Sequence, residues 1–228
     1  VGVMTGSKQV ITLNLNRIVQ DYWRVRKESY IDSPIYERDF YDRFKDYLIT
    51  ILERIYKYQI AYNECLKDLQ KAHMLSAYDA GFIDMKKQYL TIGINGLNEA
   101  AEVLGLKVSN NSSYISFLQL VLETIKEQNA IHSIRDKKKP FLFNSEVVPA
   151  EGLGVKNYNW DKKDGYKVPR DCYNSYFYVV EDENCDPVIK FRYQGAHFTG
   201  CCDGGSALHN NLDEHLTQAQ YKNELTIK

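Results

Sequence analysis

The chain has 228 residues, 44% of them apolar and 26% charged, enough to bury a real core and to fill one domain or a large part of one. Its 29 Lys and Arg stand against 30 Asp and Glu, a formal net charge of -1, so no whole-protein field draws in long nucleic acid or acidic lipid, and any anionic ligand must be met locally. No apolar run approaches the about 18 residues that cross a bilayer, and Val1-Gly2-Val3-Met4 lacks the layout of a signal peptide, so no membrane partner is expected and the cytoplasm is the expected address.

Val10-Ile11-Thr12-Leu13-Asn14-Leu15 reads as a strand almost at once. The first residue is not Met, and Gln218 to Lys228 reads as a helix that simply stops. A fragment is therefore expected, a single partial domain over residues 1–228 truncated at both ends. Ser33-Pro34 supplies an N-cap and a first-turn proline. Apolar residues then recur at Phe40, Phe44, Tyr47, Leu48, Ile51, Leu52, Ile55, Tyr62, Leu66 and Leu69. This is the three-and-four spacing of one buried stripe, which predicts a long helix to about Lys71. Its tyrosines read as packing rather than as a stacking platform.

Asp79-Ala80-Gly81-Phe82-Ile83-Asp84 is a turn-rich link. Gln88 to Asn95 reads as a short strand, and Gly96 to Gly105 as a helix closed by a glycine. Asn110-Asn111-Ser112 opens another amphipathic helix, carried by Ile115, Leu118, Leu122 and Ile125, which fades near Lys137-Lys138-Lys139 and breaks at Pro140. Phe141-Leu142-Phe143 is a candidate strand, and Val148 to Gly154 a loop leading into irregular polar sequence. Val188 to Tyr193 and His197 to Thr199 read as paired strands around Gly195. Asp203-Gly204-Gly205-Ser206 makes a glycine loop before Ala207-Leu208-His209. Strands mix with helices throughout, without repeats or low-complexity linkers, so the class is α/β or α+β.

Three loops after predicted strands are rich in small residues: Gly93-Ile94-Asn95-Gly96, Pro149-Ala150-Glu151-Gly152 and Asp203-Gly204-Gly205-Ser206. Loops of this kind that lead into helices offer free backbone N–H groups to a phosphate, although each taken alone is as readily a plain turn. Glu151 is the acid to watch, either facing a cleft or solvated on its loop. The five cysteines contain no C-x-x-C pair, which argues against a disulfide framework and a complete zinc site. Neighbours such as Cys201 and Cys202 would point to opposite faces of a strand, so at least one is read as simply buried. His197, His209 and His215 share no spacing that places two on one helical face. Asp161-Lys162-Lys163-Asp164-Gly165 reads as a surface turn.

In order and wording these segments resemble the anaerobic (class III) ribonucleoside-triphosphate reductases. The stretches that carry the resemblance are Thr5 to Ile18 (TGSKQVITLNLNRI), Tyr89 to Ala100 (YLTIGINGLNEA), Val148 to Glu151 (VPAE) and Asp203 to Leu216 (DGGSALHNNLDEHL). The resemblance covers nearly the whole chain. It implies an α/β fold, roughly the second half of the ten-stranded α/β barrel of glycyl-radical ribonucleotide reductases. It also implies reduction of ribonucleoside triphosphates to 2′-deoxyribonucleoside triphosphates by glycyl and thiyl radical chemistry, for DNA synthesis. By the family's layout the radical cysteine precedes residue 1, and the zinc cysteines and glycyl radical loop lie beyond residue 228, so the isolated fragment is expected to be inactive.

The resemblance further implies the partners: a ribonucleoside triphosphate, a radical S-adenosylmethionine activating protein, a second copy of the subunit, and ATP or dATP as effectors of the full-length enzyme. No nucleic acid is implied. Pro149, Ala150 and Gly152 look like the loop that holds substrate phosphate in this superfamily, with Glu151 as a catalytic acid and Asn14 as a substrate contact. Ser7 stands where formate-using members carry an Asn beside the radical cysteine, which favours a thioredoxin- or glutaredoxin-like reductant over formate. Residues 10–15, 90–95 and 141–147 should then be strands lining one cleft. Two alternatives remain from sequence: another glycyl-radical enzyme of the same barrel, or a non-catalytic nucleotide-binding module.

Overall fold

The computed structural model describes residues 6–26, 38–134, 141–147, 150–179, 187–208 and 222. Four strands form one parallel sheet in sequence order: β1 (Gly6–Asn14), β2 (Gln88–Asn95), β3 (Phe143–Val147) and the short β4 (Gly205–Ser206). Parallel neighbours need long crossovers, and helices supply them. Between β1 and β2 run α1 (Leu15–Arg26), α2 (Arg38–Lys71) and the single turn α3 (Ser76–Asp79). Between β2 and β3 lie α4 (Leu97–Val103) and α5 (Ser112–His132), and between β3 and β4 lie α6 (Glu151–Lys163), α7 (Pro187–Tyr193) and α8 (Ala196–Thr199).

The sheet is two-faced. Leu13 of β1, Leu90, Ile92 and Ile94 of β2, and Phe143 and Val147 of β3 are buried in one core with Phe44, Leu48 and Leu52 of α2 and Phe117, Leu118, Val121 and Ile125 of α5. These α2 and α5 residues recur at helical spacing, which is why the two long helices close over this face. Alternation then commits the other face to Val10, Thr12 and Asn14, to Thr91, Gly93 and Asn95, and to Asn144 and Glu146. This second face carries polar and small residues, and Thr91, Asn95 and Asn144 are buried on it.

The strands at 10–14, 90–95 and 143–147 are as expected. Asn111 caps α5 by accepting from the Tyr114 amide at 2.9 Å, and Gly105 closes the α4 turn at φ 76°. Other expectations are corrected. The helix α1 begins at Leu15, where the strand was expected to continue, and Phe141 makes only an isolated bridge to Ile134. The paired strands expected at Val188 to Tyr193 and His197 to Thr199 are the helices α7 and α8. Their strand-forming residues misled. The four-residue step from half-buried Ile189 to buried Tyr193 is a helical period, and Phe198 buries beside Tyr193. The loop expected through Gly154 and the irregular sequence expected after it are, from Glu151 to Lys163, the helix α6, whose inward residues Gly154, Asn157 and Asp161 carry no apolar stripe to betray it. Ser33-Pro34, the Lys137 to Lys139 run and the segment from Gln218 lie outside the described residues, apart from Lys222.

Candidate active site

Register sorts the polar face into rows. Val10, Thr91 and Asn144 form one; Thr12, Gly93, Glu146 and Gly205 form the next; Asn14 and Asn95 end their strands in a third. In the first row the Thr91 hydroxyl donates to Asn144 Oδ1 at 2.6 Å, so the Ser7 hydroxyl, 2.6 Å from Thr91 Oγ1, must be the donor of its own bond. An oriented chain Ser7 to Thr91 to Asn144 thus crosses three strands. In the second row Gly93 is obligatory, because a Cβ there would lie 2.4 Å from Thr12 Oγ1.

At the carboxyl ends of the strands, α6 is lashed down by buried polar bonds. Asn157 Nδ2 donates to Asn95 Oδ1 at 2.7 Å, and Asn95 Nδ2 donates to the Tyr173 carbonyl at 3.1 Å and to Ser175 Oγ at 3.1 Å. One helical turn on, the fully buried Asp161 carboxylate accepts from Asn14 Nδ2 at 3.1 Å, Asn16 Nδ2 at 3.0 Å, the Tyr173 hydroxyl at 2.8 Å and Arg17 Nε at 2.6 Å. A carboxylate withdrawn from water needs donors and a cation to offset its lost hydration. Burial and the Asp161 carboxylate together hold the Tyr173 phenol well above its ordinary range. Gly154 lets α6 approach, since a Cβ there would lie 2.4 Å from the Tyr173 carbonyl oxygen.

Among the described residues no side chain caps the amino end of α6. Ala150 is its N-cap and provides no side-chain cap, while the amides of Leu153 and Gly154 both bond to the Ala150 carbonyl. The amides of Glu151 and Gly152 therefore have no acceptor inside the helix, and both residues are exposed. This end follows directly on β3. Behind it, the buried Glu99 of α4 accepts from Arg170 Nη1 at 3.0 Å and from the Asn174 amide at 3.3 Å. Burial pushes its carboxyl up to about 7 in spite of the Arg170 guanidinium.

Of the residues singled out from sequence, Asn14 joins the α6 anchorage through Asp161, and Ala150, Glu151 and Gly152 form the helix start. Pro149 lies outside the described residues, as do His209 and His215. Ser7 sits at the opposite end of β1, roughly 20 Å from Asn14 by strand rise, on the same polar side as Thr91. Cys202 is buried and Cys201 half-buried, in a turn rather than a strand. The expected surface turn at Asp161 is overturned, for that carboxylate is the most heavily hydrogen-bonded acid of the site. Sequence reasoning also passed over Thr91, Asn144, Glu146 and Asn157. For Thr91 the available signal was a polar residue between apolar Leu90 and Ile92, whereas the consecutive Asn144, Ser145 and Glu146 of β3 show no such alternation.

Among the described residues no group of three or more His, Cys, Asp or Glu could hold a metal ion, and no helix is long and apolar enough to cross a membrane.

A parallel sheet with helices closing one face, and with polar side chains on the other, defines an α/β protein. The family model for anaerobic ribonucleoside-triphosphate reductase matches residues 1–227, and the chain belongs to that family. It is similar to the anaerobic ribonucleotide reductase from Thermotoga maritima with glycerol in the active site, at 27% identity and a TM-score of 0.79, over 97% of this chain and 34% of that one. The same Thermotoga maritima enzyme in complex with dATP and CTP gives 26% identity and a TM-score of 0.76, over 97% and 34% of the two chains. A further anaerobic ribonucleotide reductase structure gives 25% identity and a TM-score of 0.77, over 98% and 34%. The chain thus spans about a third of the length of the solved relatives it matches. No curated protein matched it.

Proposed function

We propose that this chain forms the substrate-side wall of the catalytic subunit of an anaerobic reductase that converts ribonucleoside triphosphates to 2′-deoxyribonucleoside triphosphates for DNA synthesis in the cytoplasm. One observation carries the reading: α6, whose start has no side-chain cap among the described residues, is tied through its middle and last turn to the ends of β2 and β1 by Asn157 and Asp161. Free amides at a helix start, aided by the helix dipole, favour the charged tail of a nucleotide without any basic patch. Ala150 and Gly152 keep that approach clear, Pro149 is assigned to the same loop, and Asn14 holds the helix through Asp161 rather than contacting substrate first.

A glycyl radical, when present in the whole enzyme, supplies the hydrogen-abstracting chemistry. The residues here bind and orient the nucleotide, and none of those described is assigned to zinc. In the whole enzyme a radical S-adenosylmethionine protein is the activating partner, a second copy of the subunit is expected, and ATP or dATP are the effectors. Ser7 commits its hydroxyl to Thr91 and offers no amide for a small carboxylate, which supports a thioredoxin- or glutaredoxin-like reductant over formate.

Gly152→Asp in the full-length subunit tests the phosphate end, because a carboxylate at the first turn competes for the same amides. With a helix-start anion worth up to about 2 kcal/mol, KM for the triphosphate should rise about tenfold or more while kcat changes less. An unchanged KM would remove the helix start from the site.

A further inference from the structure

We propose that Asn174 is a substrate-binding residue of this site, its side-chain amide donating a hydrogen bond to the polyphosphate of the bound nucleotide. The inference rests on the reductase reading above and adds a ligand contact to it.

Residues 170–178 form neither helix nor strand, yet Tyr173 to Tyr178 are buried in an unbroken run. A buried segment without a ladder must find partners for its backbone elsewhere. It finds them on the connection from β2 to α4. The Gly96 amide donates to the Asn174 carbonyl at 2.9 Å, Asn95 Nδ2 to the Tyr173 carbonyl at 3.1 Å and Asn98 Nδ2 to the Tyr178 carbonyl at 2.8 Å, while the Asn174 amide donates to the Glu99 carboxylate at 3.3 Å. The segment is thus strapped across the carboxyl end of β2.

The same strap packs on the first turn of α6. Cys172 Sγ lies 3.6 Å from the Glu151 carbonyl oxygen, and a Cβ added at Gly154 would lie 3.0 Å from the Tyr173 amide nitrogen. Asn174 follows directly, so it stands where the start of α6 meets the end of β2.

The Asn174 side chain is only 9% exposed, and one end of its amide is committed. Oδ1 accepts from the Tyr176 amide at 2.8 Å, a local turn that asparagine favours. Because a backbone N–H can only donate, that bond also settles which end of the side-chain amide carries the hydrogens. Nδ2, at the other end, meets no acceptor among the described residues. The buried asparagines around it differ: Asn16, Asn95, Asn98 and Asn157 all give Nδ2 to protein acceptors.

A buried amide donor without an acceptor is destabilising, and an anionic ligand oxygen is the partner that offsets it. The donor is already oriented, since the Asn174 backbone is held on both sides and its Oδ1 is held as well, so binding requires no rearrangement. The Glu99 carboxylate beneath does not oppose an anion, because the Arg170 guanidinium is paired with it at 3.0 Å. Phosphate rather than sugar follows from position, beside the first-turn amides of Glu151 and Gly152.

The test uses the full-length subunit, activated anaerobically to a measured glycyl radical content. Asn174→Asp keeps an oxygen for the Tyr176 amide and replaces the donor with an oxygen that repels phosphate. KM for one ribonucleoside triphosphate should rise about 30-fold or more, with kcat held within about threefold. The inhibition constant of inorganic tripolyphosphate, a competitive probe of the phosphate end alone, should rise by the same factor. Asn174→Ser, whose neutral hydroxyl still accepts from the Tyr176 amide, should raise both constants about tenfold without lowering the thermal midpoint, and it carries the test if an aspartate beside Glu99 unfolds the chain. An unchanged inhibition constant in the folded variants overturns the proposal. So does a raised KM with that constant unmoved, which would place the contact on sugar or base, and so does a wild type that tripolyphosphate does not inhibit. A wild-type subunit that carries the radical but reduces no ribonucleoside triphosphate overturns the reductase reading itself, and the role of Asn174 with it.

Discussion

Asn157 Nδ2 donates to Asn95 Oδ1 at 2.7 Å, joining the second turn of α6 to the last residue of β2. Both side chains are buried, Asn95 completely. The bond fixes where the open end of the helix points, because Asn95 is itself held by the Tyr173 carbonyl and Ser175.

Asn157→Ala leaves Asn95 Oδ1 buried without its donor, a loss of about 1–3 kcal/mol. The expected outcome in the full-length subunit is a lower thermal midpoint together with a raised KM for the triphosphate, as the helix start drifts from the strand ends. Scanning calorimetry and steady-state kinetics read the two effects. A lowered midpoint with wild-type KM would mean that α6 is anchored there for stability alone.

How much of this was legible beforehand depends on what each segment buries. Phe44, Leu48 and Leu52 of α2 and Leu90, Ile92 and Ile94 of β2 bury apolar groups at helical and strand spacing, so both elements could be read directly. The inner face of α6 is Gly154, Asn157 and Asp161, chosen to dock against polar strand ends, and a hydrophobic pattern has nothing to register there. Asp161 looked like a turn residue because four other side chains, distant in sequence, supply the donors that make its burial tolerable. Glu146 stayed hidden for a related reason. Only the pairing of β3 with β2 and β4 puts glycines on both sides of it. Family wording survived all of this, because Thr91 to Ala100 and Pro149 to Gly152 are recognisable whatever they touch.

The buried Glu99 predicts a stability profile with a definite sign. Its ordinary carboxyl value is 4.5, and burial raises it to about 7 in the folded chain. Between those values the folded protein keeps a proton that the unfolded chain has lost, so stability is fully present below about pH 4.5 and falls as pH rises toward 7. The slope from this one group is at most about 1.4 kcal/mol per pH unit. Glu99→Gln still accepts from Arg170 and the Asn174 amide and cannot titrate, so its thermal midpoint should decline less than the wild type over this window. Parallel profiles for the two proteins would show that Glu99 is ionised throughout.

Ser7 bears on the source of electrons. Its hydroxyl is committed to Thr91 at 2.6 Å in the chain that continues to Asn144, where an asparagine would present an amide donor to a small carboxylate. The expected outcome is that a thioredoxin-type dithiol sustains multiple turnovers of the activated full-length subunit, one disulfide forming per deoxynucleotide. Formate alone should support none, and carbon-labelled formate should release no labelled carbon dioxide. Ser7→Asn is the informative variant, since it restores an amide without disturbing the apolar face of β1 behind it. Stoichiometric carbon dioxide from formate with the wild-type Ser7 would overturn the assignment and place the recognition of the reductant on other residues.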